Sequence, residues 1–285
     1  MRICRFDNDR LGLVRGEEVL DVSGVLDALP ALRWPLPPGD PLIAGFVDLR
    51  PAIEAAAATA RRRPLAEVAL RSPVASPNKL IGAPINYNDH IDESKKDQGI
   101  AHGREIKTIG DWGLFLKANS ALVGPSEGVA LRFTDRRNDH EAELAVIIGS
   151  GGSNIPKAKA FDHIFGYAIG LDMTVRGTEL PSFRKSIDSY AVLGPWLVTK
   201  DEIADPDALD FSLTVNGEVR QKSNTRHLVY GVARLIEYAS SFYTLHPGDV
   251  IYTGTPSGVA PVKAGDVMRI EMQGIGSMTV AVRNA

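Results

Sequence analysis

The densest grouping of side chains able to do chemistry is Asp139-His140-Glu141-Ala142-Glu143, set directly ahead of the apolar run Leu144-Ala-Val-Ile-Ile148 and closed by Gly149. A short β-branched run bounded by glycines predicts a buried strand. Alternate side chains of a strand share a face, so Glu141 and Glu143 stand side by side. Carboxylates held that close repel, and one must take a proton unless a cation neutralises both. A third acid, Asp172, ends a second apolar run, Phe165-Gly-Tyr-Ala-Ile-Gly-Leu171. Three carboxylates without cysteine or paired histidine describe a site for a hard, oxygen-liganded divalent ion, Mg²⁺ or Mn²⁺ in preference to zinc. The plain alternative for an isolated Glu-x-Glu is the wet face of an edge strand.

A second constellation is His90-Ile-Asp-Glu93. On a short helix from Asp89 to Lys96, residues three apart share a face, and the carboxylate orients and polarises the imidazole. That is a usable acid–base dyad, against the ordinary reading of a solvated polar helix. The polar, glycine-containing stretch up to Asp111 predicts a mobile lid. Lys117 ends an apolar strand beginning at Trp112, where it either anchors a carboxylate or reaches out to solvent. Arg176 and Lys185 either neutralise surplus acid or clamp an anionic substrate. The turn Gly254-Thr-Pro-Ser-Gly258 offers hydroxyls and amides to a carboxylate. His140 falls on the face opposite Glu141 and is expected to be structural.

These groups need elements to position them. Residues 1–72 predict a small separate α+β unit: a hairpin from Arg2–Phe6 and Leu11–Arg15, a strand at Glu18–Val22, and a helix from Pro51 to Arg63 ending in three arginines. Ser72–Pro77 is the expected linker. Further on, helices are predicted over Lys157–Phe165 and Leu228–Tyr243, and Asn216-Gly217 marks a hairpin. The rest of the C-terminal body is expected to be mostly β. A net charge of −3 with 24% charged residues gives no basic surplus, so nucleic acid and anionic membranes are not expected partners. No apolar run has the length of a membrane span. A single cysteine, Cys4, and an N-terminus without an apolar core fit a reducing cytoplasm.

Taken together, Asn86-Tyr87-x-x-His90-x-x-Glu93, Glu141-x-Glu143, Asp172-x-Thr174-x-Arg176, Lys185, Leu193-Gly-Pro195, Asn216-Gly217 with Gln221, and Gly254-Thr-Pro-Ser-Gly258 resemble the fumarylacetoacetate hydrolase family, in family order across nearly the whole chain after residue 78. The resemblance implies an α+β, mainly β fold: a rolled mixed β-sandwich over residues 79–285, with residues 1–72 as a small N-terminal domain, assembled as a homodimer. It implies one Mg²⁺ or Mn²⁺ per chain, with Ca²⁺ as a possible substitute, held by Glu141, Glu143 and Asp172. His90, Glu93 and Lys185 become the catalytic groups, and Tyr87, Lys117, Arg176, Gly254 and Thr255 the substrate contacts. The implied reaction is hydrolytic C–C cleavage of a 2,4-diketo acid of the acylpyruvate type through a metal-stabilised enolate, in the setting of aromatic catabolism. A β-keto acid decarboxylase of the oxaloacetate type, an isomerase of an unsaturated 2-hydroxy or 2-oxo dicarboxylate, and a non-catalytic metabolite-binding dimer are the alternatives. Three departures bear on substrate choice: Glu179 where the family often has glutamine, Ala191 where it often has proline, and a shorter link from Asp172 to Lys185.

Overall fold

A computed structural model of the chain describes residues 1–103 and 105–285. In chain order the elements that matter are β1 (Arg2–Phe6), β2 (Arg10–Arg15), β3 (Glu18–Asp21), α1 (Phe46–Thr59), β4 (Arg61–Pro64), β5 (Leu80–Gly82), α2 (Asn88–Lys96), β6 (Phe115–Lys117), β7 (Val129–Leu131), β8 (Ala142–Ile148), β9 (Ile164–Asp172), α3 (Pro181–Arg184), β10 (Ala191–Thr199), β11 (Asp210–Val215), β12 (Glu218–Asn224), α4 (Val232–Phe242), β13 (Val250–Tyr252), β14 (Val267–Met272) and β15 (Gly276–Asn284). A twelve-stranded mixed sheet runs β4-β3-β2-β1-β10-β9-β8-β13-β5-β6, with two short strands off this path. A five-stranded sheet runs β12-β11-β14-β15-β7. Mixed sheets with few helices are the α+β architecture the sequence predicts.

The central strands explain themselves. Every residue of β8 is buried, and its side chains alternate between two apolar layers: Leu144, Val146 and Ile148 enter one, Ala145 and Ile147 the other. A strand covered on both faces needs this near-continuous β-branched run. Small residues let the strands pack closely. A Cβ at Gly166 in β9 would lie 2.2 Å from the Val198 carbonyl oxygen, a backbone atom that cannot step aside. Gly166→Ala is therefore expected to cost about 2 kcal/mol and to lower Tm by roughly 4–8 °C; an unchanged melting curve would contradict this packing.

The N-terminal strands do not stand apart, because β1 pairs antiparallel with β10 and so extends the large sheet. They nevertheless bury an apolar cluster of their own, built on Leu11, Leu20, Phe46, Leu49 and Ile53. Two expected elements differ here. The helix spans Phe46–Thr59 rather than Pro51–Arg63, because Phe46, Leu49, Ile53 and Ala57 supply its buried stripe; apolar spacing outweighs the preference for proline in the first turn. Arg61–Arg63 leave the helix and pair with β3, where Arg62 bonds Glu18 at 3.1 Å and Arg63 bonds Asp7. Lys157–His163 is a 3-10 helix, and α4 starts at Val232, after a 3-10 turn capped by Asn224. Asn216-Gly217 turns the β11–β12 hairpin with φ of 52° and 83°, the left-handed values that Asn-Gly supplies at low cost. No helix among the described residues is long and apolar enough to cross a membrane.

Candidate metal centre and acid–base dyad

The β8–β9 register brings the three acids together. Ala142 lies opposite Leu171, which sets Glu141 across from Asp172, and the Asp172 N–H donates to the Glu141 carbonyl at 2.9 Å. Glu143, two residues along β8, opposes Gly170 and shares the face. One carboxylate oxygen from each acid lies within 4.8 Å of the others, and all three residues are buried. An all-oxygen donor set of this size suits a hard divalent ion, with water or substrate completing the shell.

Cations crowd the same acids. Lys185 Nζ lies 2.6 Å from Glu141 Oε2 and 2.7 Å from Asp172 Oδ2, with the Phe115 ring centroid 5.2 Å away. Arg176 donates from Nη2 to Glu141 Oε1 at 2.9 Å and from Nε to Asp139 Oδ2 at 2.7 Å. Lys117 donates to Asp172 Oδ1. Lys117 is thus neither at the surface nor on the open cavity: its side chain is fully buried in this pair. Burial alone would raise Glu141, but Lys185 and Arg176 outweigh it and hold the carboxyl well below the usual range. Glu143 goes the other way: burial, then the charges of Asp172 and Glu141, push it well above the carboxylate range. Among the described residues its Oε2 accepts a single hydrogen bond, from the backbone N–H of Gly254 at 2.6 Å. The metal-free site therefore favours a proton on Glu143, the carboxyl for which a cation is most wanting.

The dyad faces this centre from α2. His90 Nδ1 and Glu93 Oε2 are 2.8 Å apart, and His90 lines the same cavity as Glu141, Glu143, Asp172, Arg176 and Lys185. With Nδ1 engaged by the carboxylate, Nε2 is the ring nitrogen left for the cavity. Helix α2 is docked on the Gly254–Gly258 turn: Gly258 N donates to Glu93 Oε1 at 2.8 Å and Ser257 Oγ to Asp89 Oδ2 at 2.9 Å. At its other end Asp97 accepts from Arg137 Nη1 at 2.8 Å, while Arg137 Nε donates to Asp139. A chain of ion pairs thus runs from the end of α2 through Arg137, Asp139 and Arg176 to Glu141.

The other expected site residues fall unevenly. Thr255 lines the cavity, but its hydroxyl donates to the Ala142 carbonyl at 2.9 Å and accepts from Gln221 Nε2 at 2.8 Å. Gly254 is turned toward Glu143 through its N–H, at φ 99°. Tyr87 is fully buried, packed edge-on to Phe211 at 6.4 Å, and does not line the cavity. His140 is buried with Nδ1 3.2 Å from Gln221 Oε1, and burial lowers its pKa. The sequence reading assigned nothing to Arg137 or to Arg184, which lines the cavity. The adjacency of Arg184 to Lys185 was the available signal.

The fumarylacetoacetate (FAA) hydrolase C-terminal family model matches residues 79–283, the span that contains every one of these groups. The chain belongs to the fumarylacetoacetate hydrolase family. It is 56% identical over 286 residues to maleylpyruvate hydrolase of Aquipseudomonas alcaligenes, covering 100% of each chain. It is 38% identical over 225 residues to a mitochondrial oxaloacetate tautomerase of Xenopus laevis, covering 74% of this chain and 67% of that one. Among solved structures, maleylpyruvate hydrolase from Sphingobium sp. SYK-6 in complex with manganese(II) ion and pyruvate superimposes with a TM-score of 0.84 at 42% identity, covering 100% of both chains. The relation to the two hydrolases includes residues 1–72, whereas the family model begins at residue 79.

Proposed function

We propose that this chain is a divalent-metal-dependent hydrolase that cleaves the C–C bond of an acylpyruvate, with maleylpyruvate or a close analogue as substrate. The observation that carries the reading is one cavity lined together by Glu141, Glu143, Asp172 and His90, in a chain that matches maleylpyruvate hydrolase end to end. The manganese and pyruvate of the Sphingobium complex fit this assignment, since pyruvate is the product that acylpyruvate cleavage releases.

Glu141, Glu143 and Asp172 would hold one Mn²⁺ or Mg²⁺, and the bound ion would supply Lewis acidity toward the 2-oxo acid end of the substrate. His90 Nε2, with Nδ1 steered by Glu93, takes a proton from the water that attacks the acyl carbonyl. The bond between that carbonyl carbon and C3 breaks, the acyl half leaves as a carboxylate, and C3 takes up a proton to complete pyruvate. Lys185 and Arg176 keep positive charge beside the electron-rich 2-oxo acid end throughout. Lys117, Gly254 and Thr255 serve by holding Asp172, Glu143 and the β8 backbone in place.

The reading includes a homodimer in the cytoplasm, with residues 1–72 as a unit that carries none of the chemistry. Exposed Trp112, Leu116, Leu180 and Phe183 near the cavity are apolar surface of the kind an interface covers. Protein loaded with Mn²⁺ is expected to release one pyruvate per maleylpyruvate consumed. Oxaloacetate decay without pyruvate release from any acylpyruvate would replace this reading with decarboxylation or tautomerisation.

A further inference from the structure

Helix α2 carries the dyad on little apolar packing. Among its nine residues Ile91 is the one apolar side chain, and a helix this short gains too little from its own hydrogen bonds to hold a position. Polar anchors must therefore place it. Two, Asp89 and Glu93, lie on the Gly254–Gly258 turn. The third is at the far end, where Asp97 Oδ2 accepts from Arg137 Nη1 at 2.8 Å. Asp97 is also the junction to the next turn of helix, Gln98–Ala101, which it caps by accepting from Gly99 N at 2.8 Å through Oδ1. Ile100 and Ala101 of that turn line the cavity. Arg137 lies so close that a Cβ at Gly99 would come 2.8 Å from its Nη1. Its own base is firm. Asn138–Asp139 pairs with Thr174–Val175 just past Asp172, and Arg176 N donates to the Arg137 carbonyl at 2.8 Å. Arg137 Nε donates to the fully buried Asp139 at 2.7 Å, and Asp139 leads through Arg176 to Glu141.

We infer that Arg137 is a positioning residue for the reaction: it ties the end of α2 to the metal centre and so sets where His90 and Glu93 stand relative to the three acids. The inference rests on the dyad's part in the hydrolysis proposed above and deepens it. Neither Arg137 nor Asp97 lines the cavity, so both act through the dyad rather than on the substrate. An exposed ion pair contributes little. This guanidinium, however, spans two carboxylates from two of its nitrogens, one of the carboxylates wholly buried, and a planar fork fixes direction as well as distance. A misplacement of about 1 Å between a catalytic group and its target costs roughly 100-fold in rate. Losing one of the three anchors of so short a helix is therefore read in kcat.

The test compares Mn²⁺-loaded wild type with Arg137→Met, Arg137→Lys, Asp97→Asn and the double variant Asp97→Asn/Arg137→Met. Arg137→Met is expected to lower kcat on maleylpyruvate by about 100-fold, counted per bound Mn²⁺. Its Mn²⁺ affinity should change by less than about threefold, because Asp139 and Arg176 stand between it and Glu141 and separated sites act nearly independently. Arg137→Lys should regain about tenfold, since one ammonium serves one carboxylate. Asp97→Asn keeps the Gly99 cap through its remaining oxygen and cuts only the link to α2, for an expected loss of about tenfold. The double variant should be no slower than Arg137→Met, the mark of two groups acting through one contact. Additive losses, or a kcat per bound Mn²⁺ near wild type in Arg137→Met, overturn the assignment. If Arg137→Met does not fold, Asp97→Asn decides by the same measure. Hydrogen–deuterium exchange on the same Mn²⁺-loaded proteins needs no substrate. The amides of α2 are expected to exchange about tenfold faster in Arg137→Met and Asp97→Asn, with β8 and β9 unchanged. Should wild type release no pyruvate, the hydrolase reading fails and exchange decides alone: faster exchange confined to α2 supports the anchor. Equal exchange overturns it in either case.

Discussion

Glu93→Gln is expected to lower kcat for acylpyruvate cleavage by about 10³-fold, a loss of about 4 kcal/mol in transition-state stabilisation, while Mn²⁺ affinity and Tm stay near wild type. The reason lies in hydrogen-bond polarity. Glu93 Oε1 accepts from Gly258 N and Oε2 faces His90 Nδ1. A glutamine keeps its carbonyl oxygen on Gly258, because a backbone N–H can only donate. Its NH₂ group is then turned toward His90 and demands an acceptor at Nδ1. The imidazole answers by carrying its proton on Nε2, the nitrogen that has to accept one from water. Glu93 makes no hydrogen bond to the three acids, so metal binding has no cause to change. Pyruvate release and Mn²⁺ titration on the same preparation check both halves; activity within tenfold of wild type would remove the dyad from the mechanism.

The second large effect separates metal binding from folding. Glu143 is the acid that burial and its two acidic neighbours drive toward the protonated form, and its hydrogen bond is to a backbone N–H. Glu143→Gln reproduces the neutral shape. The metal-free variant is expected to melt within about 2 °C of wild type while binding Mn²⁺ at least about 100-fold more weakly, since a charged ligand is lost. Mn²⁺ at 100 times its Kd stabilises the wild type by about 2.7 kcal/mol, a rise of roughly 5–10 °C in Tm; the variant should not show it.

Asp172→Asn behaves differently. Asp172 is the partner of two buried ammonium groups, Lys117 and Lys185, and neutralising it strands positive charge, at a cost of about 3–5 kcal/mol. It should lose stability and metal together. Melting curves with Mn²⁺ and with a chelator, on all three proteins, decide the matter. A Glu143→Gln protein that still rises in Tm with Mn²⁺ would take Glu143 out of the ligand set.

What could be read from the sequence was whatever rests on local spacing. The continuous apolar run from Leu144 to Ile148, closed by glycines, specifies a buried strand, and with it a shared face for Glu141 and Glu143 at its start. The three-residue spacing of His90 and Glu93 specifies one helix face, and the 2.8 Å contact follows from it. Asn216-Gly217 specifies its own turn. Composition was a poorer guide than periodicity: the alanine-rich stretch after Pro51 read as a helix ending in arginines, but the buried stripe from Phe46 to Ala57 sets the helix, and Arg61–Arg63 complete the edge of a sheet.

The tertiary structure alone decided which distant groups meet. The β8–β9 register sets Asp172 against Glu141, and a shift of one residue would turn it to the other face. Pairing of β6 with β5 carries Lys117 to Asp172, 55 residues away. Arg184 lines the cavity with its Nε on the Glu179 carbonyl, and Glu179 is paired with Arg136, 43 residues away. A side chain's type and its near neighbours state what chemistry it can do. Its partners across a sheet depend on strand pairing and burial summed over the whole chain, and no local pattern encodes that sum.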